Sequence, residues 1–239
     1  MKAISRRSAL LLMPLAFVAS LVVAVAAQAF HLPPFALLPI VMLLGIAGPA
    51  LVAASDDPRA ELGLTAPSAH ALAGAVLVGG SFWYVNAAFI APWFAGAPSA
   101  SDRQLAELVG GADRLALKIL VIALVPAVCE ELLVRGAIAR GLAARHGLWL
   151  AVAVSSIYFA AMHLSLARAA PTAALGALLA VAALRSGSTI PAMLIHFLNN
   201  AIALTLAATA AVPDPRIAAP VALAATIGGT ALLWQSHRR

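Results

Sequence analysis

The sequence predicts an all-α membrane protein, a bundle of about eight transmembrane helices, and three observations lead to this fold class. Of the 239 residues, 63% are hydrophobic. Only 10% are charged, whereas a soluble domain carries about 25% charged residues. The apolar residues form long runs, and an α-helix needs about 20 of them to cross the hydrocarbon core. Residues 1–239 are therefore predicted to form a single integral membrane domain.

The first three runs are predicted to be the first three membrane spans. The first covers residues 8–29, and its basic flank together with Ala27-Gln28-Ala29 would also fit a signal peptide. Its apolar core is longer than the roughly 7–15 residues of a signal sequence, which favours an uncleaved helix. The second run covers residues 35–54. The third covers residues 69–94, where Trp93 is expected to anchor the helix at the membrane interface.

The stretches on either side of the fourth span are more polar. Residues 95–114 form the longest polar stretch, and Leu105 and Leu108 give it an apolar face, which predicts a helix lying at the interface. The fourth span begins near Leu115 and carries two adjacent glutamates close to its end. Residues 136–146 then alternate arginines with apolar residues. They are expected either to rest at the interface or to continue the fourth helix.

The last four runs cover residues 148–166, 171–184, 190–210 and 217–234, and the sixth run is unusually short. Eight spans place both ends of the chain on the same side of the membrane. Nine lysines and arginines then fall on that side and four on the other. Because basic residues are retained in the cytoplasm, the chain is predicted to lie in the plasma (inner) membrane with both termini cytoplasmic. The net charge of +6 reflects this excess, and no basic stripe indicates nucleic-acid binding.

Glu130, Glu131 and Arg135 are the first candidates for a functional site. An ionised side chain inside the membrane costs roughly 2.5–3.5 kcal/mol on insertion scales, so such groups are usually paired or functional. Glu131 and Arg135 are four residues apart and share a helix face, so they are predicted to pair. Glu130 lies about 100° round the helix from Glu131. We therefore expect Glu131 and Arg135 to be chiefly structural and Glu130 to perform chemistry.

Two further spans carry polar side chains at helical spacing. His163 follows Phe159 by four residues in the fifth run, and His196 and Asn200 are four apart in the seventh. Each pair shares a helix face. A lone histidine in a span is more often a hydrogen-bonded packing residue, but polar groups on three spans together indicate a common site. The single cysteine, Cys129, excludes an internal disulfide and a multi-cysteine zinc site.

The three motifs, in this order, resemble those of the CPBP family, the CAAX prenyl proteases and bacteriocin-processing intramembrane proteases. The motifs are Glu130-Glu131-x-x-x-Arg135, Phe159-x-x-x-His163 and His196-x-x-x-Asn200. The resemblance is clearest over a predicted catalytic core, residues 115–202. It implies an eight-helix CAAX-protease-like fold and endopeptidase activity on a membrane-associated, prenylated or bacteriocin-like substrate. It also implies that Glu130 activates water, while His163, His196 and Asn200 bind a metal ion or stabilise the oxyanion.

Two mechanisms remain open from the residues themselves. A carboxylate can act as general base while histidine and asparagine side chains donate hydrogen bonds to the oxyanion. Alternatively, His163 and His196 could hold Zn²⁺ together with an oxygen ligand, leaving an open position for water. The expected partners are the lipid bilayer and a membrane peptide or protein substrate.

Two other classes of protein would carry similar residues. An ion-coupled transporter also uses intramembrane Glu, His and Asn, but it needs a continuous polar path, and the first, second and eighth spans offer almost no polar residues. A catalytically silent scaffold of the same fold would typically have lost a motif residue, and none is missing. One difficulty concerns depth: the predicted spans place His163 near the outer end of helix five and His196 near the inner start of helix seven. The two can meet only if helices tilt or if residues 136–148 sink into the membrane.

Overall fold

The computed structural model describes residues 4–54, 57–94, 96–110, 113–211 and 213–236, and within these ranges the chain is helical without a β-strand. We number the helices in chain order. They are α1 (Arg6–Ala29), α2 (Pro34–Ala53), α3 (Pro58–Glu61), α4 (Ala69–Phe94), α5 (Ala100–Val109), α6 (115–146), α7 (Leu148–Met162), α8 (Leu166–Ser186), α9 (Ile190–Thr209) and α10 (Pro215–Gln235).

Eight of these helices correspond to the eight predicted apolar runs, and the predicted polytopic membrane bundle is confirmed. Six of them, α1, α2, α4, α8, α9 and α10, are long and apolar enough to cross a membrane. Many large apolar side chains on them face outward, including Leu11, Val52 and Ile227. Outward-facing apolar side chains of this kind are solvated by lipid. Helix α3 is a four-residue turn, and α5 is the short helix predicted for the polar stretch.

The fourth span and the segment after it form one helical stretch, α6. Two π-helical segments, Ile119–Leu124 and Leu132–Ala139, interrupt its α-helical hydrogen bonding. The second π segment directly follows the two glutamates, and π turns occur frequently at functional sites. Residues 132–142 are all buried. Of the two alternatives for residues 136–146, the structure therefore supports a continuation of helix four and not a surface helix.

The boundary between the fifth and sixth spans differs from the expected one. Helix α7 ends at Met162 instead of near residue 166, and α8 begins at Leu166 instead of near Pro171. Leu164 adopts a positive φ of 49°, which breaks the helix. Ser165 then caps α8 by accepting a hydrogen bond from the backbone N–H of Arg168. Hydropathy missed this turn because it is flanked by leucines.

Small residues bring helices α4 and α10 into close contact. A Cβ atom added to Gly74 would meet the carbonyl oxygen of Gly229 at 2.7 Å. Nearby, the hydroxyls of Ser81 and Thr226 are hydrogen-bonded at 2.8 Å. Small residues and hydroxyl pairs are the usual means of helix association in lipid, where apolar burial alone supplies no driving force.

Arg140 joins three segments on the side of the bundle that carries the chain termini. Its guanidinium is buried and donates to the carbonyl oxygens of Ala60, Glu61 and Gly187 at 3.1–3.3 Å. Carbonyls at helix C-termini carry partial negative charge and favour a cation. Beside them, the hydroxyl of Thr189 donates to Leu62 O at 2.6 Å. We call residues 60–65, Arg140 and residues 187–189 the Arg140 cluster.

The Arg140 cluster explains how His163 and His196 reach the same depth. The turn at residues 187–189 lies beside Arg140, which is six residues before the end of α6. From Arg140 the chain runs six residues to the end of α6, turns, and runs back about fifteen residues along α7 to His163. Along the helix axis, His163 therefore lies about 13 Å beyond Arg140, in the direction we call above. His196 lies about 9 Å above the same level, and Glu130 lies above it on α6, beyond the π-helical segment Leu132–Ala139. The large difference in depth that the sequence predicted between His163 and His196 is therefore absent, because the α8–α9 turn is recessed into the bundle.

Replacing Gly63 with alanine is expected to destabilise the bundle. Gly63 has a φ of +69°, and an added Cβ would approach the Arg140 guanidinium at 2.6 Å. A non-glycine residue held in this conformation costs about 1–3 kcal/mol, and displacement of the arginine adds to that cost. Gly80→Ala is the matched control, because a Cβ there meets nothing within 4 Å. Detergent melting curves should show a lower Tm for Gly63→Ala only, and equal melting of the two variants would contradict the role of the cluster.

Candidate active site

Each of the three motifs contributes residues to the wall of one cavity, in the half of the bundle opposite the Arg140 cluster. The cavity has a volume of about 680 Å³, and Glu130, His163, His196 and Asn200 all contribute to its wall together with Phe159. Most of the other lining side chains are apolar. The structure therefore brings together all four residues predicted to be catalytic, which come from helices α6, α7 and α9.

Glu131 is the acceptor that connects Arg135 with His196. Its Oε1 atom accepts a hydrogen bond from Arg135 Nη1 at 2.9 Å and is also 2.9 Å from His196 Nδ1. Both Glu131 and Arg135 have no exposed surface. The predicted ion pair is thus present, but Glu131 has a second function in the structure, because it holds a histidine of the cavity wall.

Arg135 is held from two further helices. Its Nη2 donates to the carbonyl oxygen of Gly176 on α8 at 3.0 Å, and its guanidinium carbon lies 4.3 Å from the centre of the Phe159 ring on α7. A Cβ atom on residue 176 would approach Arg135 Nη2 at 3.2 Å and the Cα of Ser156 at the same distance. Glycine at this position allows the guanidinium to reach the backbone.

The hydrogen bonds of the two histidines determine which ring nitrogen carries the proton. Carboxylates and carbonyls only accept hydrogen bonds, so His196 Nδ1 donates to Glu131. In the same way His163 Nδ1 donates to the carbonyl oxygen of Phe159 at 2.8 Å. In the singly protonated form of each ring, Nε2 is then the nitrogen that accepts hydrogen bonds. The Phe159 ring contacts both imidazoles edge to face, at 5.0 and 5.6 Å between ring centres, and fixes their planes.

Glu130 is buried at the cavity wall with one oxygen uncommitted. Among the described residues, its Oε2 atom has no hydrogen-bond partner. His196 Nε2 lies 3.9 Å from Glu130 Oε2. A buried acceptor without a partner is costly, so this position favours binding of a proton donor such as water or a substrate N–H.

Asn200 lines the cavity. Its Oδ1 accepts a hydrogen bond from Asn199 Nδ2 at 3.1 Å, which leaves the Asn200 NH₂ group as the donor. Asn199 is itself a wall residue. An amide donor and a carboxylate on the wall of one cavity are groups that acyl transfer can use.

The zinc site predicted on His163 and His196 stays a prediction. Among the described residues, no three His, Cys, Asp or Glu side chains are grouped as a metal ion requires. The contact between Glu131 and His196 Nδ1 is of the kind that orients metal-bound histidines, but it serves equally to orient a histidine that binds water. We therefore assign no step to a metal ion.

The mouth of the cavity is formed partly by an ion pair that the sequence did not reveal. Arg168, on the cavity wall, pairs with Asp102 of helix α5. Asp102 also accepts hydrogen bonds from the hydroxyls of Ser99 at 2.7 Å and Ser165 at 2.9 Å. The hydrogen bond from Ser99 is the largest of the effects that lower the pKa of Asp102 to about 2. The carboxylate is thus ionised at neutral pH and fixes α5 against the start of α8.

Sequence reasoning missed several residues of this site. Gly176, Asn199 and Arg168 were not among the predicted site residues. Asn199 was detectable as a polar residue inside an apolar run, whereas a glycine in a span has no distinguishing signal. Asn86 on α4 joins that helix to α8 by donating from Nδ2 to the carbonyl oxygen of Pro171 at 3.1 Å.

Comparison with known proteins supports the resemblance found in the motifs. A family model described as type II CAAX prenyl endopeptidase Rce1-like matches residues 112–202. The matched segment includes all the predicted catalytic residues and nearly coincides with the predicted core at 115–202. No curated protein and no solved structure matches the chain significantly.

Proposed function

We propose that the chain is an intramembrane endopeptidase that uses Glu130 as its general base, because a family model described as type II CAAX prenyl endopeptidase Rce1-like matches residues 112–202. The observation that carries this proposal is the pair of acceptors formed by Glu130 Oε2 and His196 Nε2, 3.9 Å apart on the wall of one cavity. The remaining groups are His163, at the end of α7, and Asn200, on α9.

The two acceptors suit a single water molecule. A water oxygen about 2.8 Å from each acceptor would see them at an angle of roughly 90°, which is close to the angle between the two O–H bonds of water. Both protons of the water are then engaged, and its lone pairs are directed toward a substrate carbonyl. This arrangement orients the nucleophile before the reaction, so less of the barrier is spent on ordering it.

The chemical step follows from these positions. Glu130 accepts a proton from the water while the water oxygen attacks the carbonyl carbon of the peptide bond. The Asn200 NH₂ group donates a hydrogen bond to the developing oxyanion. When the tetrahedral intermediate collapses, the C–N bond breaks and the proton held by Glu130 passes to the leaving nitrogen. His163 and His196 accept hydrogen bonds from water or from the N–H groups of the substrate.

Hydrolysis by the purified protein tests the proposal directly. Wild-type protein in lipid nanodiscs should cleave members of a library of membrane-associated peptides, and mass spectrometry would locate the cleaved bonds. Activity should persist in a metal chelator, because the proposed reaction uses the Glu130 carboxylate as the base and needs no metal ion. Loss of activity in chelator with recovery on Zn²⁺ addition would instead make the histidines metal ligands. Absence of any cleavage would favour a catalytically silent scaffold.

A further inference from the structure

Two asparagines on the cavity wall carry side-chain oxygens that the proposed reaction does not use. Asn86 on α4 and Asn199 on α9 both line the cavity. Among the residues that the structure describes, Asn86 Oδ1 and Asn199 Oδ1 are buried and have no hydrogen-bond partner. A buried acceptor without a partner is costly, and most such groups in native proteins are paired. Each oxygen is therefore a position at which a bound molecule can donate a hydrogen bond.

The nitrogen of each amide is already engaged, which leaves the oxygen as the group that a ligand would meet. Asn86 Nδ2 donates to the carbonyl oxygen of Pro171 at 3.1 Å, and a carbonyl only accepts hydrogen bonds. Asn199 Nδ2 donates to Asn200 Oδ1 at 3.1 Å, and Asn199 is only 8% exposed. Both side chains are thus held by protein contacts. Because neither amide is charged, the ligand that suits them is a neutral hydrogen-bond donor.

The contacts of helix α8 show where Asn86 lies along the cavity. Three residues of α8 each bind a side chain from another helix. From the interior of α8 toward its start, the pairs are Gly176 with Arg135, Pro171 with Asn86, and Arg168 with Asp102. At about 1.5 Å per residue, Pro171 is about 7.5 Å from Gly176 and about 4.5 Å from Arg168 along the helix. Asn86 therefore lies between the hydrogen bonds of Arg135 and the mouth of the cavity, on the path of a substrate that reaches Glu130.

A peptide offers backbone donors to such acceptors only where it is not helical. Inside an α-helix each N–H is bonded to the carbonyl four residues earlier, so a helical transmembrane segment has no free N–H to donate. In an extended chain, successive residues point to opposite sides and the same side recurs at every second residue. An extended segment in the cavity can therefore offer N–H groups to more than one acceptor on its wall.

We propose that Asn86 and Asn199 form a subsite for the main chain of the substrate, in which each Oδ1 accepts a hydrogen bond from a backbone N–H. The substrate is then a peptide segment that is extended beside the cleaved bond. This inference rests on the proposed peptidase function, because it names the substrate class of the same cavity. Main-chain recognition tolerates varied side chains, but it excludes proline at the recognised positions, since proline has no N–H.

Single ester substitutions in a cleavable peptide test the subsite. An ester replaces one backbone N–H with an oxygen and adds no bulk, and mass spectrometry follows cleavage of the original peptide bond. For wild type, kcat/KM should fall about tenfold at the two recognised positions, the order of effect expected when one hydrogen bond to a buried group is lost. In Asn86→Ala the decrease at one of these positions should disappear, and in Asn199→Ala the decrease at the other should disappear.

The ratio of amide to ester cleavage within one variant separates recognition from stability. A purely structural function of Asn86 would slow both peptides equally, so the effect of the ester would remain. Ser81→Ala is the matched control, because it also removes a hydrogen bond of α4, to Thr226 on α10, and its ester effects should equal those of wild type. The Asn199→Ala series supplies a second, independent measurement if Asn86→Ala fails to fold.

The results distinguish failure of the subsite from failure of the proposed function. Ester effects that persist in the folded asparagine variants, or that are absent from wild type, would refute the subsite. If cleavage is still lost in Glu130→Gln, the peptidase function remains intact in that case. Absence of cleavage by wild type, or cleavage that Glu130→Gln leaves unchanged, would refute the proposed function and the subsite with it.

Discussion

Replacement of Glu130 by glutamine should lower the rate of peptide hydrolysis by about 10²–10⁴-fold, the range that a positioned general base contributes. The glutamine keeps the size of the side chain but has no basic oxygen to take a proton from water. The protein should fold and insert normally, and its Tm should stay the same or rise. The reason is that a buried carboxylate oxygen without a hydrogen-bond partner is removed.

The same substitution at an exposed glutamate is the control for this experiment. Glu107→Gln changes a side chain on the outer face of α5 and should leave both activity and melting unchanged. Single-turnover rates on a cleavable peptide, measured for the three proteins in parallel, separate the chemical step from substrate binding. Turnover by Glu130→Gln within a few-fold of wild type would show that the base lies elsewhere.

Removing one member of the Glu131–Arg135 pair should destabilise the bundle severely. Both side chains are fully buried, and a buried charge that loses its partner costs about 3–5 kcal/mol. For a chain of this length such a loss lowers Tm by roughly 10 °C. Arg135→Met and Glu131→Gln should each show this decrease in detergent melting curves. Arg145→Met, at an exposed position, is the matched control and should melt like wild type.

The double variant distinguishes an ion pair from a larger network. If only the two charges mattered, Glu131→Gln combined with Arg135→Met would recover most of the lost stability. The structure predicts only partial recovery, because Arg135 also donates to Gly176 O and Glu131 also binds His196. Glu131→Gln should in addition change the pH–rate profile, since a neutral amide no longer fixes the protonated nitrogen of His196. Wild-type melting and an unchanged profile in Glu131→Gln would contradict this positioning function.

Local geometry explains why part of the site could be predicted from the sequence. The Glu131–Arg135 pair and the Phe159–His163 contact both join residues four positions apart, and the helix itself fixes such neighbours. The apolar runs likewise located the spans, although the turn at Leu164 was missed because its flanking residues are as apolar as the helices. The ordered motifs were sufficient to indicate the family.

Long-range partners depend on helix depth and rotation, and the sequence did not determine them. The sequence assigned His196 to the chemistry of Glu130, but it gave no indication that His196 Nδ1 is also bound to Glu131, 65 positions away. Lipid and the bundle interior are both apolar, so hydropathy does not distinguish which face of a span is buried. The hydrogen bonds of Arg140 to the turns at 60–65 and 187–189 set the depth of α9. The sequence by itself determined the membrane fold class and the chemical groups, and tertiary packing alone decided which of those groups meet in the cavity.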